Sequence, residues 1–388
     1  MSSAVAAVRV ARADTAPWPD TWLLGLAFTL MAIGFIAISS ASVEYAAAHH
    51  GSALYIALRH LIYVCIALAG AIAVFLMPTS FWLRTSWIWL FLGLVLLLLV
   101  LIPGVGVKVN GSRRWLGVGS MTLQASEFAK ISLIVYLAGY LQRRESEVRN
   151  EWQGFVKPMG MVFAVTLLLL MEPDFGATVV TVGTAFGMLF LAGVKLRHFL
   201  LVMLGSAGAL AVLVISEPYR MQRLTSYTDP WADQFNTGYQ LTQSLIAFGR
   251  GEWFGVGLGN SVQKLFYLPE AHTDFVFAIW AEETGLVGAL VVVGLFLALI
   301  YRMFWIGRRS QQAGDLFGAH ICHGVALVFA AQAFINVGVS SGLLPTKGLT
   351  LPLVSYGGSS LIACCAMLAL VLRVDLQCRV GRPKSRGR

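Results

Sequence analysis

The sequence has few charged residues: Asp, Glu, Lys and Arg make up only 12% of its 388 residues. Soluble globular domains are about one quarter charged. Hydrophobic residues account for 57% of the chain, and the mean hydropathy is +0.74. These proportions exclude an ordinary soluble domain and predict a polytopic membrane protein.

Motifs of soluble catalysis and of metal binding are also missing. The chain contains no Walker loop and no G-x-S-x-G motif, and no outer histidine pair stands at helical spacing. The five cysteines fall in predicted spans or in the basic tail, which excludes a disulfide framework. The net charge of +9 is explained by membrane topology and anionic lipid, so no nucleic-acid partner is expected.

Apolar runs long enough to cross a bilayer, about 17 to 25 residues, recur along the chain. We predict an all-α polytopic fold with ten transmembrane helices, at 22–42, 58–77, 87–103, 126–142, 158–172, 177–193, 199–216, 275–300, 317–337 and 358–374. Basic residues concentrate in the loops that share a side with the termini, so both termini are predicted to be cytoplasmic. The expected organisation is a cytoplasmic segment 1–21, one membrane domain 22–374 and a basic cytoplasmic tail 375–388.

One connection, residues 217–273, is much longer than the others and is predicted to be a functional outer, periplasmic loop between spans seven and eight. Its segment 239–248 has the mixed character of a short helix on the membrane surface. The following FGVGLGNS has alternating glycines but no preceding strand, so it fails the dinucleotide-binding fingerprint. We interpret these glycines as backbone freedom around a turn.

Ionisable residues collect at the outer ends of two predicted spans. Glu127 and Lys130 stand at i and i+3 on one helical face, which allows either a self-neutralising pair or a functional site. Asp174 follows a tight outer turn and is predicted to cap the next helix. Asp274 precedes an apolar run, where it could cap a helix, act as a base, or do both. Helical spacing makes Glu282 the better candidate to share a cavity with Asp274 than the residue after it.

These residues lie in motifs that resemble one family over nearly the whole chain. The strongest match is NVGVSSGLLPTKGLTLPLVSYGGSS at 336–360, supported by NGSRRWL, SEFAK, EPDFG and NSVQKLFYLPEAHTDF. Together they resemble the SEDS family (shape, elongation, division and sporulation). The Glu-Ala before His272 is closer to the family's FtsW cell-division branch than to its RodA elongation branch. Ala125 stands where the family commonly has proline.

The resemblance implies peptidoglycan glycosyltransfer on lipid II, with Asp274 as the essential catalytic group. It implies no organic cofactor, because the activated leaving group is part of the substrate. It further implies that Glu127 and Lys130 form a functionally important pair. The same outer cavity would be lined by other substrate-binding residues: Arg114, Trp115, Gln124 and His272. We expect the leaving pyrophosphate to be stabilised by Lys130, Arg114, Arg223, Lys264 or a divalent cation, Mg²⁺ or Mn²⁺.

Two other functions remain open from the sequence. A lipid II flippase would need polar residues along a continuous path at mid-membrane, whereas the polar residues here collect at the outer ends of spans. A non-catalytic scaffold would use its exposed helix faces to hold division proteins such as a class B penicillin-binding transpeptidase. The expected location is the bacterial inner membrane, at the division septum.

Overall fold

The computed structural model describes residues 18–109, 112–118, 121–216, 227 and 229–380. The N-terminal half contains α1 (Thr21–His50), α2 (Tyr55–Leu76), α3 (Thr79–Arg84), α4 (Ser86–Leu101), β1 (Gly106–Val109), β2 (Ser112–Val118), β3 (Met121–Gln124), α5 (Ala125–Arg143) and α6 (Glu145–Asn150). The C-terminal half contains α7 (Trp152–Met171), α8 (Phe175–Leu191), α9 (Leu196–Ile215), α10 (Tyr239–Gly251), α11 (Val276–Gln312), α12 (Leu316–Ser340) and α13 (Gly358–Val380).

The helices confirm a multi-pass membrane protein. Among the described residues, six helices are long and apolar enough to cross a bilayer: α1, α2, α7, α11, α12 and α13. Shorter apolar helices lie at Ser86–Leu101, Phe175–Leu191 and Leu196–Ser206. Each of the ten predicted spans overlaps one helix, and the predicted surface helix at 239–248 is α10. The predicted terminal segments lie partly outside the described residues.

A small sheet that we did not predict precedes α5. Strands β1, β2 and β3 pair antiparallel in sequence order, with Trp115 opposite Gln124 on neighbouring strands. The sequence carries a signal for it, since β-branched and polar residues alternate around the dipeptide Asn110-Gly111, which favours a hairpin. The sheet brings Arg114, Trp115 and Gln124 to the N-terminal end of α5.

Helix α11 is interrupted at Gly285, whose φ is +71°. The segment after α10 enters this break and takes over its backbone hydrogen bonds. The carbonyls of Glu282 and Glu283 accept from the N–H groups of residues 256 and 257, and the N–H groups of residues 286 and 287 donate to residues 252 and 253. The glycines at 255 and 257 have φ values of +80° and +97°, so they fix a defined insertion into the helix.

The two C-terminal helices form the centre of the molecule. Most residues of α12 and α13 are buried, whereas α2 exposes most of its apolar surface. Burial of α12 and α13 by neighbouring helices agrees with a helix bundle in which the outer helices face lipid. The segment 341–357 between these central helices lies next to the start of α11.

Candidate active site

Asp274 lies just before α11, in the position where a helix-capping role was predicted. The N-cap residue is Phe275, which makes no side-chain capping hydrogen bond. The capping prediction is therefore wrong for Asp274. Its carboxylate faces the segment 341–357, because a Cβ added to Gly348 would lie 2.8 Å from Asp274 Oδ2.

The surroundings of Asp274 suit a general base. The residue is half-buried, and burial raises the pKa of Asp274 to about 7; the carboxylate of Glu270 adds to this increase, and Arg114 opposes it. A carboxylate with this pKa is a much stronger base than an exposed aspartate, yet about half of it is ionised at pH 7.

Asn336 of α12 fixes the backbone on both sides of the candidate base. Its Nδ2 donates to the carbonyl oxygen of Asp274 at 2.8 Å and to that of Leu349 at 2.6 Å. The N–H of Tyr356 donates to the carbonyl of His272 at 3.0 Å. The start of α11 and the segment 341–357 are thus held together as one wall of the site.

The His272 ring packs between two aromatic rings on this wall. Its ring lies 5.2 Å from that of Tyr45 and 5.7 Å from that of Tyr356, between centroids. Burial lowers the pKa of His272, although Glu270 opposes the change. The imidazole is therefore neutral at pH 7, and it brings no positive charge that would lower the pKa of the nearby base.

Glu127 and Lys130 form a buried ion pair in the first turns of α5. The Lys130 Nζ lies 2.9 Å from Glu127 Oε1, and the two side chains are 1% and 5% exposed. The second carboxylate oxygen of Glu127 has no hydrogen-bond partner among the described residues. The pair therefore neutralises itself and still leaves one buried acceptor for a donor.

The sheet and the turn between α7 and α8 meet through polar contacts. Arg114 Nη2 donates to the carbonyl of Pro173 at 2.5 Å, and Gln124 Nε2 donates to Asp174 Oδ2 at 3.3 Å. Asp174 also accepts from the N–H of Ala177 at 3.1 Å, which confirms the predicted cap of α8. Arg114 and Gln124 are thereby held against the turn before α8, and Trp115 lies opposite Gln124 in the sheet.

Lys264 and Arg223 were also predicted to stabilise the leaving pyrophosphate. Lys264 is 9% exposed, and its Nζ lies 3.1 Å from Glu283 Oε1 and 2.6 Å from the carbonyl of Gly259. Its charge is therefore committed to anchoring the inserted segment. Arg223 lies outside the described residues.

Glu282, the predicted cavity partner of Asp274, is fully buried and faces the inserted segment. Its carboxylate accepts from the Ser261 hydroxyl and from the N–H groups of residues 262 and 263. It also forms an ion pair with Arg250, whose Nε lies 3.1 Å from Glu282 Oε1. These partners use the carboxylate to hold the loop against α11. Within the described ranges, no group of three or more His, Cys, Asp and Glu residues is arranged to bind a metal.

Comparison with known proteins decides the family. The FtsW/RodA/SpoVE profile of cell cycle proteins matches residues 20–380. The chain belongs to this family. The "Probable peptidoglycan glycosyltransferase FtsW" of Hahella chejuensis is 56% identical over 362 residues, which cover 93% of this chain and 91% of that relative. The protein of the same description from Nitrosococcus halophilus is 54% identical over 371 residues, 96% of each chain.

Solved structures agree with this family assignment. One similar chain comes from work on the coordination of polymerization and crosslinking by a peptidoglycan synthase complex. It has a TM-score of 0.76 at 31% identity, covering 92% of this chain and 98% of that one. The rod shape determining protein RodA of Thermus thermophilus has a TM-score of 0.69 at 29% identity, covering 92% and 97%.

Residue-by-residue reasoning missed the contribution of the segment 341–357, although its sequence carried the strongest family signature. Gly348 borders the candidate base, and Lys347 Nζ lies 4.6 Å from the centroid of the Phe175 ring. Only the tertiary structure places this segment beside Asp274, since 74 positions separate Gly348 from it in the chain. The spacing of glycines and prolines in the signature was the available signal, but it does not show which part of the chain lies beside the segment.

Proposed function

We propose that the protein polymerises lipid II into β-1,4-linked glycan strands during septal wall synthesis, with Asp274 as the catalytic base. The enzyme class follows from relatives that are more than half identical over more than nine-tenths of the chain and are described as peptidoglycan glycosyltransferases. The observation that supports the role of Asp274 is its half-buried carboxylate with a pKa of about 7, beside a wall that Asn336 fixes.

The proposed topology places this site at the outer surface of the inner membrane. Ten helices cross, both termini are cytoplasmic, and residues 217–273 form a periplasmic loop. Lipid II has an undecaprenyl tail that stays in the bilayer and a disaccharide-peptide that lies outside. An acidic group at the outer end of a membrane helix is where such a substrate presents its sugars.

The reaction is a single displacement. Asp274 accepts the proton of the GlcNAc 4-hydroxyl on the acceptor while the hydroxyl oxygen attacks the anomeric carbon of the lipid-linked donor glycan. The bond between that carbon and the pyrophosphate oxygen breaks, and its electron pair leaves with the pyrophosphate. The configuration inverts, which gives the β-1,4 link. The activated leaving group is part of the substrate, so the reaction requires no organic cofactor.

The remaining site residues are assigned to binding. Arg114, Trp115, Gln124 and His272 would contact the substrate headgroup, and the Glu127–Lys130 pair would form the floor of the cavity at membrane depth. Lys130 adds positive charge below the pyrophosphate, and a divalent cation, Mg²⁺ or Mn²⁺, would add more.

We also propose a class B penicillin-binding transpeptidase as partner in the division complex. Support comes from the similar chain in a peptidoglycan synthase complex. Beyond its break, α11 exposes large apolar side chains that a transmembrane helix could cover: Leu286, Val287, Leu290, Val291 and Leu297. Such a face suits packing of a helix within the bilayer.

The test is polymerisation of fluorescent lipid II by the purified protein, with the transpeptidase partner added and its crosslinking inhibited. Long glycan strands are expected, and they are digested by a muramidase. A protein that moves lipid II across proteoliposomes and makes no strands would be a flippase. A protein that does neither, while still binding its partner, would be a scaffold.

A further inference from the structure

A cleft lies where α3 and the start of α4 meet the C-terminal end of α5. Its volume is about 580 Å³. The residues that line it are Leu83, Arg84, Trp87, Gln142 and Arg143. Glu127 lies at the other end of α5, a helix of 19 residues that is about 28 Å long. The cleft is therefore separate from the candidate active site.

Two arginines give the cleft its charge. Arg84, the last residue of α3, is exposed, and none of the ion pairs among the described residues involves it. Arg143 Nη1 donates to the Leu83 carbonyl at 3.2 Å and to the Ser86 hydroxyl at 3.0 Å. Both acceptors are uncharged, so they fix the guanidinium beside the start of α4 without neutralising it.

The acidic residues that follow α5 are occupied by other cations. Glu147 forms ion pairs with Arg144 and with Lys157. Glu145 Oε1 lies 2.9 Å from Arg149 Nη2. The positive charge of the cleft is therefore not balanced by these neighbours, which favours an anionic ligand.

The cleft continues into an apolar face of α4. Trp87 is 63% exposed, and Phe91, one turn further along the helix, is 61% exposed. Tryptophan is enriched at the interface between a membrane and water. On the proposed topology this end of the helix lies at the cytoplasmic leaflet, whose surface carries anionic lipid. A phospholipid with its phosphate in the cleft can thus place an acyl chain along the exposed rings.

The lining also contains a polar atom that lacks a partner. Gln142 Oε1 is buried, and it accepts no hydrogen bond from the described residues. A buried acceptor without a donor costs free energy, so a donor from a bound molecule would stabilise this side chain. A glycerol headgroup carries hydroxyl donors next to its phosphate.

We propose that this cleft binds the headgroup of an anionic glycerol phospholipid from the cytoplasmic leaflet. The phosphodiester lies between Arg84 and Arg143, because guanidinium groups match the geometry of phosphate oxygens. A headgroup hydroxyl donates to Gln142, and one acyl chain follows Trp87 and Phe91. The site is independent of the proposed polymerisation and of its catalytic base.

Native mass spectrometry of the detergent-purified protein with phosphatidylglycerol tests the proposal. The parent should retain one phosphatidylglycerol more tightly than phosphatidylcholine, which has a phosphate but no net charge. Arg84→Gln should weaken phosphatidylglycerol binding at least about fivefold. Because Arg84 is exposed, this variant should keep the parental melting temperature. The matched control is Arg197→Gln, which removes an exposed arginine on the predicted cytoplasmic side and should leave the affinity unchanged.

Equal affinity of the parent and Arg84→Gln for phosphatidylglycerol would overturn the proposal. An equal loss of affinity in Arg197→Gln would also overturn it, because general attraction by surface charge would then explain the binding. Glycerophosphoglycerol, which has the same headgroup without acyl chains, tests the source of the ligand. It should not displace the lipid at equal concentration, and displacement would show a site for a soluble phosphodiester instead.

Discussion

The pH dependence of polymerisation gives a quantitative test of the base, because the environment of Asp274 sets the pH at which it ionises. Burial raises the pKa of Asp274 to about 7 from its ordinary 3.8, with a further contribution from Glu270. A base acts only when ionised, so activity is lost as pH falls through about 7. With this pKa, the ionised fraction is about 9% at pH 6 and about 91% at pH 8.

The account therefore predicts that kcat/KM for lipid II rises about tenfold between pH 6 and pH 8. An aspartate with an ordinary pKa would be ionised throughout this range, and kcat/KM would be nearly flat. The assay follows initial rates of fluorescent lipid II polymerisation at fixed ionic strength from pH 5.5 to 8.5. Binding of the transpeptidase partner, measured at each pH, controls for loss of the folded complex.

A Glu270 variant tests the direction in which this residue shifts the pKa of Asp274. Glu270 is exposed, and its charge favours the protonated form of Asp274. Glu270→Gln removes that charge and should move the midpoint of the profile to lower pH, by less at high salt. A flat profile in the parent, or a midpoint that moves upward in Glu270→Gln, would refute the reasoning.

Three further predictions concern the structure around the site. Gly285→Ala should lower the melting temperature in detergent, because it forces alanine into a positive φ against the inserted segment, at a cost of about 1–3 kcal/mol. The control Gly294→Ala, on the same helix, should leave the melting temperature unchanged, because a Cβ there meets no atom within 4 Å. Lys264→Met should lower the melting temperature more, because Glu283 is left buried without its cation, which costs about 3–5 kcal/mol of stability. Asn336→Leu should reduce kcat at least about tenfold, with the folded protein retained in size-exclusion chromatography, because two carbonyls beside the base lose their donor. An unchanged melting temperature in Gly285→Ala or Lys264→Met, or full activity in Asn336→Leu, would contradict these assignments.

The helices could be predicted from sequence because their signal is local. An apolar run of the required length is sufficient to indicate a membrane helix, and each predicted span overlaps a helix. The three-stranded sheet was missed because its strands are short and lie within a connection read as a loop. Its alternation around an Asn-Gly dipeptide was the signal available.

The contacts that define the site are not local, and sequence could not supply them. From the sequence, Lys264 is an available cation, but in the structure its Nζ lies 3.1 Å from Glu283 Oε1. Asp274 reads as a helix cap until Phe275 is found in that position. Spacing alone likewise favoured Glu282 as a cavity partner, whereas its carboxylate accepts hydrogen bonds from the inserted segment. Whether a charge is paired, whether a residue caps a helix and which neighbour a side chain faces each depend on residues from another part of the chain.

The most direct test of the central claim is the polymerisation rate of Asp274→Asn. Asparagine keeps the size and polarity of the side chain but cannot accept the proton from the attacking hydroxyl, so the variant should make no glycan strands. Its melting temperature and its binding to the transpeptidase partner should equal those of the parent. Strand synthesis by this variant at the parental rate would contradict the assignment of Asp274 as the base.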